Sequence, residues 1–320
     1  MQRKTKIWLI IAAFLVVVGV MLFAAVMSAY NWDFTKLSTN EYENNVYEVG
    51  REFSDISIRT DTADISFAPA EDGNCRVACY EQENVRHAVT VQNGILTIYE
   101  SSERKWYDYI GISVGVPKVT VYLPDAEYGV LTIAESTGDI EIPEMFRFGS
   151  IDILTSTGNV RNYAHTSENI RIETSTGDIH IENISADTLD LSVSTGRITV
   201  SKVNCAGDVK INVSTGKADI TDATCKNYIS SGTTGDIFLQ NVMVTETISI
   251  DRSTGDVKFD GCDAAGIFIK TDTGDVMGTF LSEKVFLVKT DTGSIDVPKS
   301  IIGGSCEVTT GTGDIELDIQ

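Results

Sequence analysis

The stretch Asn169–Val200, NIRIETSTGDIHIENISADTLDLSVSTGRITV, decides the fold. It holds two copies of Ser-Thr-Gly, at Gly177 and Gly196, nineteen residues apart. Apolar residues stand seven and five positions before each glycine (Ile170 and Ile172; Leu189 and Leu191) and two and four after it (Ile179 and Ile181; Ile198 and Val200). Alternation with period two on both sides of a glycine turn reads as strand, turn, strand. A helix would place apolar residues at i, i+3, i+4 and i+7, and that spacing is absent.

Outward from this stretch the unit recurs. Thr-Gly falls at Gly138, Gly158, Gly177, Gly196, Gly216, Gly235, Gly255, Gly274, Gly293 and Gly313, always 19 or 20 residues apart. A fixed period in this range is the mark of a solenoid. The expectation is an all-β fold, a single-stranded parallel β-solenoid with 19–20 residues per rung. Equivalent strands then stack about 4.8 Å apart, so ten rungs make a rod of roughly 45–50 Å. Glycine supplies a positive φ or a close backbone approach at the corner, and the Asp that follows six of the ten suits a turn. A further apolar position seven after the glycine (Ile184, Val203, Ala223, Val242, Cys262, Leu281) predicts a second core corner. A right-handed coil is expected from the general preference for right-handed crossovers.

The N-terminal part differs. Residues 7–29, IWLIIAAFLVVVGVMLFAAVMSA, carry no charge. As a helix they reach roughly 34 Å, enough to cross a bilayer core. They read as a single-pass signal anchor, with a cleaved signal peptide as the rival. Arg3, Lys4 and Lys6 predict a cytoplasmic N-terminal stub (residues 1–6) and an extracytoplasmic remainder. Residues 30–45 read as a tether and 46–130 as a β cap with the first rungs. In this cap, 55–67 resembles a degenerate rung with Ala63 in the glycine position, and Asn93-Gly94 marks a hairpin. Residues 131–320 hold the ten Thr-Gly rungs. Aromatics are concentrated before the repeat, with 13 in residues 31–130 against 9 in 131–320. That fits a cap core, because an open first rung would aggregate. Trp106, Tyr107 and Tyr109 could instead form an exposed contact patch. At the other end the chain stops seven residues past the last glycine. Either Glu316, Asp318 and Gln320 shield the final strand, or that edge mediates self-association.

The chain has 25 basic and 46 acidic residues, a net charge of −21. Such a surface repels phosphate, which argues against nucleic acid as a partner. Three scattered histidines and a uniform repeat offer no catalytic constellation and no cofactor site, so the chain is read as not an enzyme. Asp236, Asp256 and Asp275, beside Asp272 and Asp291, form a weak calcium ladder, since stacked carboxylates repel. Solvated turn aspartates explain it as well. Among six cysteines, Cys205 and Cys225 share a phase on neighbouring rungs and could form a disulfide; Cys262 and Cys306 occupy core phases.

A membrane segment, NGILTI (93–98), VPKVTVYLP (116–124) and serial STGDI or TTGDI rungs together resemble the bacterial putative-adhesin family, a β-strand-repeat domain of unknown function. The resemblance covers about residues 45–320. It implies a surface or envelope protein, with some members linked to envelope-stress regulation, and it brings no catalytic residues. The expected function is a non-enzymatic cell-envelope binding module that engages an envelope protein or wall polymer. An accessory regulator acting through a membrane partner is the alternative, and a polysaccharide-active enzyme a more distant one.

Overall fold

The structure, a computed structural model, describes residues 3–33, 42–101 and 115–320. One helix, Arg3–Ala29, precedes an all-β body. Within Thr5–Ala29 an 18-residue stretch has a mean hydropathy of 3.1. Apolar side chains are exposed all round it, from Trp8 and Phe14 to Leu22 and Phe23. A helix that is apolar on every face cannot pack one stripe on a core and leave the rest in water. It is long and apolar enough to cross a bilayer, a composition that signal sequences share.

The body is a parallel β-solenoid built as the period dictates. Strands that precede each Thr-Gly turn stack into one sheet, and those that follow stack into a second. Ile151, for example, pairs with Leu131 on one side and Ile170 on the other. Across the turn, Val160 pairs with Ile140 and Ile179. Both sets point inward and are almost completely buried. Alternation places one residue in two on the core, so each rung adds a short row of Ile, Val and Leu to a continuous apolar column.

The glycine column has a steric cause. A Cβ on Gly158 would lie 1.8 Å from the Gly138 carbonyl oxygen, and one on Gly196 would lie 1.9 Å from that of Gly177. These glycines also have φ near +150°. Any side chain here would strike the rung behind it. Ala63, which holds the glycine position in the rung before Gly138, has no left-handed φ. That is why the glycine rule lapses there.

The second corner turns six residues past the glycine, through left-handed residues that the apolar pattern does not mark. Asn183, Lys202, Asp222 and Asn241 have φ between +51° and +56°, and Gly261 has +59°. Asn and Asp tolerate this region through local hydrogen bonds. The next residue turns inward, as expected, at Ile184, Val203, Ala223, Val242 and Cys262, but Leu281 is exposed. The register shifts between Phe259 and Cys262, so Cys262 pairs with Phe280, and Phe280 fills the slot.

Rung order departs from chain order at both ends. Gly266–Thr273 pairs with Gly304–Thr312, and this strand in turn pairs with Lys284–Thr292. The last rung is therefore inserted between the rungs of Gly274 and Gly293. The column repeats that order: a Cβ on Gly313 meets the Gly274 carbonyl, and one on Gly293 meets that of Gly313. The crossing passes through Gly303 (φ +104°) and Gly304, whose Cβ would lie 2.2 Å from the Ala265 carbonyl oxygen. The expectation that Glu316, Asp318 and Gln320 form the terminal edge is thus corrected. Cys306, Val308, Ile315 and Leu317 are fully buried and need cover on both sides. The exposed edge is Lys284–Thr292 with Ile295–Asp296.

At the N-terminal end, Asp55–Thr62 lies between Glu127–Thr137 and Ile95–Ser101. In the second sheet, Asp64–Pro69 pairs with Lys118–Leu123, which leads antiparallel to Arg76–Gln82 and then to Tyr42–Glu48. The chain lays down its first rung, builds a cap over it, and returns beneath it. Strand structure starts at Tyr42, inside the stretch assigned to the tether.

Candidate functional site

The aspartates after the glycines form a hydrogen-bond ladder. The N–H of Asp256 donates to Asp236 Oδ1 at 3.2 Å, that of Asp275 to Asp256 at 3.0 Å, and that of Asp314 to Asp275 at 2.8 Å. The same bond joins Asp139 to Asp64 and Arg197 to Asp178. Each carboxylate is held by the next rung's backbone. Lys217 donates to Asp236 at 2.8 Å, and this bond holds that carboxyl below its ordinary pKa. Asp272 and Asp291 do not join the ladder as neighbours. Thr310 pairs with both Thr271 and Thr290, so the inserted rung separates them by two spacings, roughly 10 Å.

All six cysteines are free thiols and buried. Cys205 and Cys225 lie on adjacent rungs, where Asn204 pairs with Thr224, and they are not bonded to each other. Burial pushes both thiols up to about 12, which removes thiolate reactivity at neutral pH. Trp106, Tyr107 and Tyr109 lie outside the described residues.

The cap holds a polar cluster that the sequence pattern did not expose. In Arg76–Gln82 the inward positions are Val77, Cys79 and Glu81, and the tight turn bridged by Gln82 and Val85 brings His87 beside them. Glu81 is 0 % exposed and His87 4 %. Glu81 Oε2 accepts from the His87 backbone N–H at 2.6 Å and lies 2.7 Å from its Nδ1. Oε1 accepts from Asn45 Nδ2 at 2.7 Å and Tyr47 OH at 3.2 Å. His87 Nε2 lies 3.2 Å from Thr60 Oγ1. The one signal in the sequence was Glu81 at an inward strand phase, where an apolar residue is the rule.

Thr60 pairs with Glu135, the next member of a column three residues before each glycine. Glu135 is buried with no hydrogen-bond partner on either oxygen. Desolvation raises its pKa to about 8. Further along, Arg252 is 1 % exposed and reaches over Gly232 to donate to the Val213 carbonyl at 2.7 Å. Burial lowers its pKa. A Cβ on Gly232 would lie 2.1 Å from Arg252 Nη1, so the two residues are placed together.

On the second corner of the C-terminal half runs an open groove of about 660 Å³, lined by Asn204, Thr224, Met243, Asp263 and Lys284 among others. Burial disfavours the Asp263 carboxylate, yet hydrogen bonds from Lys284 Nζ and Ser282 Oγ outweigh it and hold the pKa low.

These features define a capped parallel β-solenoid. The chain belongs to the Toastrack DUF4097 family, whose pattern matches residues 53–213 and 204–320. No curated protein matches it. Among solved structures it is similar to a putative lipid binding protein from Parabacteroides distasonis ATCC 8503, at 17 % identity and TM-score 0.49, covering 86 % of this chain and 96 % of that one. A putative adhesin from Bacteroides fragilis NCTC 9343 matches at 15 % identity and TM-score 0.43, covering 87 % and 97 %. Another from Parabacteroides merdae ATCC 43184 matches at 12 % and 0.45, covering 88 % and 97 %.

Proposed function

We propose that this chain is a non-enzymatic cell-envelope binding module, held by one N-terminal membrane span with the solenoid outside the cytoplasm, and that it engages an envelope protein or wall polymer along a solenoid face. The observation that carries this reading is the groove on the second corner, bordered by Asn204, Thr224, Met243 and Asp263 on successive rungs. A face that presents one outward side chain per rung suits an extended partner, which meets a contact at each step. The non-enzymatic part is supported by the acidic corner residues, each of which commits one carboxylate oxygen, Oδ1, to a backbone N–H of the next rung. Orientation rests on the positive-inside rule applied to Arg3, Lys4 and Lys6.

The test is crosslinking and pulldown from intact cells, comparing the native chain with Thr224→Arg and Met243→Glu, which fill the groove with bulk and charge. One partner recovered with the native chain and lost with both variants supports the reading. The same recovery from all three overturns the groove assignment. Protease added outside intact cells should digest the solenoid; a protected solenoid overturns the orientation.

A further inference from the structure

The cap cluster carries chemistry that the binding reading does not use. Cys79 Sγ, Glu81 carboxylate oxygen and His87 ring nitrogen all lie within 4.8 Å of one another, and all three residues are buried. We propose that Cys79, Glu81 and His87 form a binding site for one transition-metal ion of the zinc class.

Position makes the set. Cys79 and Glu81 are i and i+2 on one strand, so both point inward. The turn at Glu83–Val85 brings the chain straight back and places His87 against them. One sulfur, one imidazole nitrogen and one carboxylate oxygen is a donor set that zinc accepts, with a fourth tetrahedral position left for water. The charge balances too. A thiolate and a carboxylate together neutralise a divalent ion, and among the described residues the partners of Glu81 are Asn45, Tyr47 and His87.

Outer partners are already placed. On binding, the metal takes the His87 Nδ1 lone pair, the Nδ1 proton is exchanged for one on Nε2, and Nε2–H donates to Thr60 Oγ1. Asn45 and Tyr47 keep Glu81 Oε1 oriented. Cys79 gives its proton to solvent as the metal–sulfur bond forms. Such outer contacts fix the ring and tune affinity.

The test uses the full chain in detergent, stripped with chelator and titrated with Zn²⁺ and separately with Co²⁺. One ion per chain is expected, and Co²⁺ should give a sulfur-to-metal charge-transfer band. Cys79→Ala should abolish that band while the circular dichroism of the sheet persists. Thr60→Val should weaken Zn²⁺ by about tenfold. If the folded native chain takes up neither ion, or if Co²⁺ binds without the band, the site is wrong. Undiminished binding by both Cys79→Ala and His87→Gln would place any metal elsewhere and overturn the proposal equally.

Discussion

The two ends of the solenoid face one problem, an uncovered rung, and resolve it differently. At the N-terminal end the first rung pairs in parallel with Ile95–Ser101 and Lys118–Leu123, and antiparallel strands complete the layer beyond them, with Phe67, Tyr128, Phe146 and Phe148 packed beneath. Antiparallel strands need only short turns, so a compact cap closes that end. At the C-terminal end the chain steps outward for one rung and then slips its last rung inside. The outer rung stays half-dressed: Phe286 and Val288 are only half-buried, and Leu287, Ile295, Ile301 and Ile302 are exposed. One end is a lid and the other is an open edge.

The sharpest way to break this comparison is to remove residues 304–320. If the last strand were a terminal rung, its loss would shorten the rod and no more. Because it is an inner rung, its loss removes four buried side chains, each worth about 1.5–3 kcal/mol, and strands the outer rung without a partner. Hydrogen exchange should show protection lost over residues 266–296 while residues 131–220 stay protected. Protection retained at 266–280 would refute the inserted order.

Next in size is the glycine column. Gly158→Ala should cost about 3 kcal/mol or more in urea unfolding, because its Cβ meets a backbone carbonyl that cannot yield. Ala63→Gly, at the capped end of the same column, should cost only about 0.5–1 kcal/mol from chain entropy. Similar costs at both positions would mean that the rung behind does not set the rule.

Glu135 provides a pH test of the buried N-terminal interior. Its pKa is raised from 4.5 to about 8. A raised folded pKa means the stability it allows is fully present below about 4.5 and is lost as pH rises through about 8. The loss is at most about 5 kcal/mol. Thermal unfolding of the native chain should therefore move to lower temperature from pH 5 to pH 8, and Glu135→Gln should flatten that portion. An unchanged pH profile in the variant would contradict the burial argument.

The smallest expected effect is at the open edge. Ile301→Asp and Ile302→Asp should change unfolding free energy by no more than about 0.5 kcal/mol, since both side chains are exposed. They should reduce any concentration-dependent association seen by light scattering. A large loss of stability would mean that this end is covered after all.

Legibility varied along the chain. The phases of Leu131, Ile170 and Ile248 before the turn, and of Ile140 and Ile179 after it, were readable because alternation fixes which side chains face inward. The second-corner residues Asn183, Asp222 and Asn241 were visible only as polar positions, since a left-handed φ leaves a weak mark in composition. The Cys79–Glu81–His87 cluster was invisible as a unit. His87 arrives through a tight turn after Gln82, where the chain passes from one strand ladder to another, and no period encodes that step.

The sequence by itself determined the apolar N-terminal helix, the rung length, the strand–turn–strand unit and the membership of the glycine column. Each follows from local chemistry repeated at a fixed spacing. Only the tertiary structure decided the order of rungs at the two ends, the neighbours of Asp272 and Asp291, and the meeting of thiol, carboxylate and imidazole in the cap. Every rung presents nearly the same strand edges. A strand's own residues therefore specify that it stacks, but not on which neighbour; the crossing at Gly303-Gly304 and the burial of Cys306, Val308, Ile315 and Leu317 settle that.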